Sequence, residues 1–260
     1  MLSKLIGYEM KAFGRILFPV YLAIVVVAVL LGIDFRLFSA PEGAAGSVAL
    51  TIILVLLIAA VFLITIILSV GRFYTNLLGR EGYLMFSLPT GTGSLIWAKV
   101  ISSVIWSLFS VIVAAASVIP FFLIPSFSEE VEKIEISSIV SKVFEAAAPY
   151  TATIVLGVLI VIASTVAAIV RIYAAISIGH LWSDHRIIGA VLTYIGFEIL
   201  ELIIMAILGS SLFITINLPG LFRAMGSIGA EVSVLLGCIV IIAIYSIVTW
   251  IVLDRKLNLE

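Results

Sequence analysis

The sequence is poor in most of what a soluble enzyme is built from. Only 11% of its 260 residues are charged, against roughly 25% in an ordinary soluble domain, so a water-facing surface of normal size cannot be assembled. There is one cysteine, Cys238, which excludes an intrachain disulfide and leaves the redox compartment unread. The two histidines, His180 and His185, leave little material for a metal centre. No G-x-x-x-x-G-K-[ST] phosphate loop and no H-E-x-x-H helix occurs, so neither chemistry has its usual scaffold here. No internal repeat is visible, so an inverted-repeat architecture has no direct support.

What the sequence has in excess is apolar surface: 63% of residues are hydrophobic. A core of this size cannot hide that much from water, which makes lipid the expected solvent. Six apolar runs stand out, at Ile16–Ile33, Val48–Val70, Val100–Ile124, Thr151–Tyr173, Ile187–Leu208 and Val232–Leu253. Each spans about 18 to 25 residues, enough at ~1.5 Å per residue to cross a ~30 Å hydrocarbon layer. The runs are too long and too weakly alternating for barrel strands. In lipid the backbone must satisfy its own hydrogen bonds, so they are expected to be helices. Pro19 and Pro120 are expected to kink the first and third. Ahead of them, residues 1–15 place Leu2, Leu5, Ile6 and Phe13 on one side, with Leu17 a turn further on, and Lys4, Glu9, Lys11 and Arg15 are polar. That pattern predicts an amphipathic helix lying in the interface. A cleaved signal peptide is not expected, because the following apolar run is long and no small-residue cleavage site follows it. The fold expected is therefore an all-α membrane protein of six transmembrane helices preceded by an interfacial helix.

Basic residues set the expected orientation. With the N-terminus cytoplasmic, ten fall inside: Lys4, Lys11, Arg15, Arg72, Arg80, Lys99, Arg171, Arg186, Arg255 and Lys256. Four fall outside, Arg36, Lys133, Lys142 and Arg223. The bias puts both termini in the cytoplasm. Trp97, Trp182 and Trp250 then lie near the inner interface and Tyr150 near the outer one. The second outer loop, Pro125 to Tyr150, is acidic, with Glu129, Glu130, Glu132, Glu135 and Glu145. Its capping-box pair Ser126 and Glu129, and its spaced Val131, Ile134, Ile139, Val143 and Phe144, predict an external amphipathic helix. The third, Gly209 to Glu231, is apolar and broken at Pro219-Gly220, and is expected to dip back into the membrane under protein cover.

Two groups of residues invite a chemical reading. Glu198 and Glu201 sit one turn apart near the middle of the fifth run. A charge at that depth costs about 2.5–3.5 kcal/mol on insertion scales, so such groups face protein or water and often serve function. Either they line a path for a cationic group, or they carry a proton or bond to neighbouring helices and hold the bundle together. His180, Asp184 and His185 resemble a zinc set, but His185 points about 100° away from Asp184 on a helix. The expectation is an ordinary charged loop and no metal site.

The stretch Gly71–Lys99, GRFYTNLLGREGYLMFSLPTGTGSLIWAK, is the longest polar interruption on the expected cytoplasmic side. It predicts a short amphipathic helix stopped near Leu88-Pro89, a turn over Thr90-Gly91-Thr92-Gly93, and Ser94 capping the next helix. Such a helix could rest on lipid headgroups; a charged rim around an apolar centre suits a protein socket at least as well. The run Arg72-Phe73-Tyr74, followed by Arg80-Glu81-Gly82-Tyr83-Leu84-Met85-Phe86-Ser87-Leu88-Pro89, resembles the cytoplasmic loop of bacterial ABC-2 type transporter permeases. The six spans and the broken loop before the last are also similar to that family's layout.

The resemblance implies the permease subunit of an ATP-driven exporter in a bacterial plasma membrane. Arg80, Glu81, Gly82, Tyr83, Leu84 and Phe86 would form the coupling helix that docks on a separate ABC ATPase. ATP and Mg would sit on that partner, with no cofactor on this chain. A second permease, the same chain or a similar one, would complete the path; no nucleic acid is expected as a partner. From the residues themselves the expected cargo is amphipathic or hydrophobic, an antimicrobial peptide, drug or lipid, because the body offers few polar groups to recognise a sugar or ion, and Glu198 and Glu201 are the residues expected in the substrate path. The alternative is a membrane sensor or scaffold that recruits a cytoplasmic partner without moving anything.

Overall fold

The computed structural model describes residues 2–37, 44–79, 82, 85, 90–120, 141, 145, 147–182, 185–215 and 221–255. Among them the chain is helical and has no strand. The helices are α1 (Leu2–Leu37), α2 (Ala44–Phe73), α3 (Thr92–Ala116), α4 (Thr151–Gly179), α5 (Arg186–Thr215) and α6 (Leu221–Arg255). A π turn, Tyr74–Leu78, extends α2, and a 3-10 turn, Ala148–Tyr150, leads into α4. All six helices contain a segment long and apolar enough to cross a membrane.

Several boundaries differ from the sequence reading, each for a local reason. Residues 1–15 are not a separate helix: α1 runs unbroken from Leu2 to Leu37, since nothing between Arg15 and Ile16 stops it, and Pro19 is contained within it. The third helix ends at Ala116, four residues before Pro120. A proline ring clashes with the carbonyl four residues back, so the chain turns there instead of kinking. Residues 209–215 and 221–231 are helical rather than loop, because the apolar segment continues until Pro219-Gly220. That pair lies in 216–220, outside the described residues, as do Lys133, Lys142 and most of the segment expected to form the external helix. Ser94 does not cap α3. The helix already begins at Thr92, and the Ser94 hydroxyl donates to the Gly91 carbonyl at 2.6 Å.

The chain packs as two compact units. One comprises Ile6–Leu68 and Ile105–Pro149. Its core is a stripe along α1, Phe13, Leu17, Tyr21, Ile24, Ala28 and Leu31, spaced three or four apart so that one helix face is buried. Against it lie Leu54 and Val61 of α2 and Trp106 of α3. Three hydroxyls are linked inside this core: Ser110 Oγ lies 2.9 Å from Tyr21 Oη and 3.1 Å from Thr65 Oγ1. Thr65 and Ser110 also donate to backbone carbonyls one turn earlier, so neither is left unsatisfied away from water.

The other unit comprises Met1–Leu5, Ser69–Val104 and Tyr150–Glu260. Here α4 packs on both α5 and α6. The burial of α4 is lopsided. Its first half exposes Ile154, Val155, Val158 and Leu159, as lipid contact allows, while Ala167, Val170, Tyr173, Ala174 and Ser177 are buried. Tyr173 stacks on Phe73 with ring centroids 4.0 Å apart, and its hydroxyl lies 2.9 Å from Ser103 Oγ. At the C-terminal end of α4 the backbone of Gly179 meets that of Ala190 in α5 so closely that a Cβ would collide with Ala190 N and Cα. Thr92 at the start of α3 donates to Asp254 near the end of α6 at 3.1 Å.

Candidate functional site

The two glutamates singled out in the sequence lie on α5, and the structure supplies their partner. Arg171 of α4 places one guanidinium nitrogen, Nη1, 2.8 Å from Glu201 Oε2 and 3.0 Å from Glu198 Oε1. Tyr245 of α6 donates its hydroxyl to Glu201 Oε1 at 2.7 Å. Both Glu201 oxygens are therefore engaged, one from each neighbouring helix. The Arg171 guanidinium carbon also lies 5.6 Å from the centroid of the Tyr194 ring, within reach of a cation–π interaction. Phe197 packs on the Tyr245 ring at 4.7 Å.

The helical period explains why these residues meet. Tyr194, Phe197, Glu198 and Glu201 fall at intervals of three, one and three, on one stripe of α5. The opposite face of α5 carries Ile188, Leu192, Ile195, Ile199 and Ile203, all exposed. The polar stripe is turned to α4 and α6 and the aliphatic one is left for lipid.

Exposure separates the two acids. Arg171 and Glu201 retain 17% and 23% of their side-chain surface, whereas Glu198 retains 47%. Glu201 is thus a strut between three helices, whereas Glu198 is held by Arg171 of α4 and by the Tyr194 hydroxyl one turn back on its own helix. Two carboxylates face one guanidinium, so the cluster carries one formal negative charge in excess. Arg171 Nε, moreover, is buried with no partner among the described residues. Groups inside a span that are paired yet incompletely satisfied are candidates for contact with a passing or resident ligand.

Arg171 is the partner the sequence pattern does not mark: the fourth apolar run ends at Tyr173, two residues beyond it, so Arg171 counts there with the basic residues of the cytoplasmic side. It lies eight residues inside the C-terminal end of α4. The apolar continuation Ala174-Ala175-Ile176 was the available signal.

The other sequence candidates fare differently. Of the loop residues Arg80, Glu81, Gly82, Tyr83, Leu84 and Phe86, only Gly82 is described; it is buried and its N–H donates to the Gly79 carbonyl at 2.9 Å. The other five lie outside the described residues. Leading into them, the π turn buries Leu77 and Leu78. It ends at Gly79, where a Cβ would come within 2.6 Å of the Thr75 carbonyl oxygen.

Asp184 also lies outside the described residues. His180 is buried, with its ring edge-on to Tyr74 at 6.1 Å, and His185 is exposed. Burial, and secondarily the positive charge of Arg186, hold the His180 pKa below its usual value. Among the described residues no three His, Cys, Asp or Glu side chains form a group able to hold a metal ion.

Compared with known proteins, the chain matches no family model, no curated protein and no solved structure.

Proposed function

We propose that the chain is the membrane-spanning permease subunit of an ATP-driven exporter of the ABC-2 type, seated in a bacterial plasma membrane with both termini cytoplasmic. The observation that carries this reading is the Arg171–Glu198–Glu201 cluster on helices of span length. Its excess of negative charge and the half-exposed Glu198 suit a cationic group on an otherwise apolar cargo, such as an amphipathic peptide or drug. With Arg171 assigned to that cluster, nine basic residues against four still favour cytoplasmic termini. The segment 72–89 resembles the ABC-2 coupling loop, and the π turn leading into it gives α2 a local irregularity at which a push from a partner could be received. ATP and Mg would be held by a separate ATPase subunit, and a second permease would complete the path.

The test is purification of the chain from its native membrane under mild detergent, followed by an ATPase assay. A nucleotide-hydrolysing subunit should co-purify, and an amphipathic cationic peptide should stimulate it. Glu198→Gln should reduce that stimulation while leaving the basal rate. If no such subunit accompanies the chain, the reading is wrong.

One observation favours the scaffold alternative. Glu201 has both oxygens occupied by α4 and α6, as a purely structural strut would. A scaffold predicts that Glu198→Gln changes no cargo-dependent activity and that the loop binds a partner lacking ATPase activity.

A further inference from the structure

A groove of about 580 Å³ lies between α1 and α3, within the unit that holds both segments. Its lining combines two cations, Lys11 and Arg15, with three aromatic rings, Phe18, Trp106 and Phe109. Lys11, Gly14, Arg15 and Phe18 follow one another at helical spacing along α1, and Trp106 and Phe109 face them from α3. Lys11 and Arg15 are exposed, and neither makes an ion pair among the described residues. Phe18 and Phe109 keep 62% and 49% of their surface exposed, so the groove is open on its apolar side.

Three further features shape it. Gly14 forms the floor: a Cβ there would stand 3.0 Å from the Phe18 ring and 3.2 Å from Trp106 Cζ2. Any larger residue would fill the space. Trp106 is 4% exposed, yet its indole Nε1 is buried with no hydrogen-bond partner among the described residues. Finally, the stripe crosses the point where the polar N-terminal residues give way to the apolar run at Ile16. The cations fall on the polar side of that boundary and Phe18 on the apolar side, which is the order of a phospholipid's headgroup and acyl chain.

We propose that this groove holds one anionic phospholipid, with its phosphate between Lys11 and Arg15 and an acyl chain along Phe18 and Phe109. The volume lies in the range of small-molecule sites, suited to a glycerophosphate head and the first part of a chain. The site is independent of the Arg171 cluster and of any transport activity.

The full chain, reconstituted in nanodiscs and released into native mass spectrometry, tests this. From discs of phosphatidylcholine with phosphatidylglycerol, it should retain a single phosphatidylglycerol in preference to phosphatidylcholine. Each cation beside an anionic headgroup is worth about fivefold, so Lys11→Gln with Arg15→Gln should lower retention about thirtyfold. Both residues are exposed, so helicity by circular dichroism should be unchanged. Gly14→Leu, which fills the floor, should abolish retention with the cations intact, whereas the Lys11→Arg, Arg15→Lys chain, which keeps both charges and the open floor, should retain the lipid at the wild-type level. Equal retention of the two lipids, or wild-type retention by the Lys11→Gln, Arg15→Gln chain, overturns the proposal. Displacement of the lipid by millimolar glycerol phosphate would show a site for the free phosphate and would overturn it too.

Discussion

Arg171 Nη1 lies 2.8 Å from Glu201 Oε2, and this one contact turns two charges that lipid would reject into a brace between α4 and α5. Its value is asymmetric. The pair as a whole gains little over an apolar replacement, but either member without the other is a charge left in a poor solvent.

Arg171→Gln should therefore destabilise the protein by about 2–3 kcal/mol, below the figure for a fully buried pair because both side chains keep some exposure. Adding Glu201→Gln to it should recover most of the loss, since a glutamine pair can still bond. Thermal unfolding in detergent, compared across the two single variants and the double, measures the coupling. Additive losses would show that the contact carries no coupling energy.

Tyr245→Phe keeps the ring against Phe197 and removes only the hydroxyl that donates to Glu201 Oε1. A hydrogen bond to a charged group is worth about 1.5–3 kcal/mol, so a loss near the lower value is expected. The same substitution made on Glu201→Gln should cost less, because the acceptor is then neutral.

Glycines in α4 should respond in opposite ways. At Gly179 a new Cβ would strike the backbone of Ala190, and Gly179→Ala should cost about 1–3 kcal/mol through forced separation of α4 and α5. At Gly157 nothing lies within 4 Å, so Gly157→Ala should be neutral or stabilise by up to ~1 kcal/mol through helix propensity. Unfolding midpoints of the two variants decide this directly.

The buried His180 gives a pH dependence of known sign. Its pKa is lowered in the folded chain, chiefly by burial and then by Arg186. The unfolded chain therefore binds the proton more readily, and stability falls as pH drops below the unfolded value of about 6.5 toward the folded pKa. Above that value the group contributes no slope. Midpoints measured at pH 7.5 and 5 should differ less for His180→Gln than for the native chain. An equal difference in both would assign the acid sensitivity to other groups.

Six spans and their approximate positions were legible because lipid imposes a length and a composition that a run of apolar residues either meets or does not. The glutamates were legible for the same reason: a charge inside such a run is conspicuous. The ends were harder to read. Apolar residues continue past the hydrocarbon requirement at Ala174-Ala175-Ile176 and at residues 209–215, and a helix stops only at a breaking residue, as before Pro120. A composition scan sees solubility in lipid, not the place where backbone hydrogen bonding ends.

Composition and periodicity alone thus determined an all-helical chain with six helices of span length, and marked Glu198 and Glu201 as out of place. Only the tertiary structure decided that Arg171, 27 and 30 residues earlier in the chain, answers those two charges, and that Tyr245 completes the group. The physical reason lies in the range of the two signals. Burial in lipid acts on each helix separately and is written in every stretch of the sequence. A pairing across α4, α5 and α6 depends on the rotation and depth of each helix against its neighbours, and these are set by contacts such as Gly179 on Ala190 that no single helix contains.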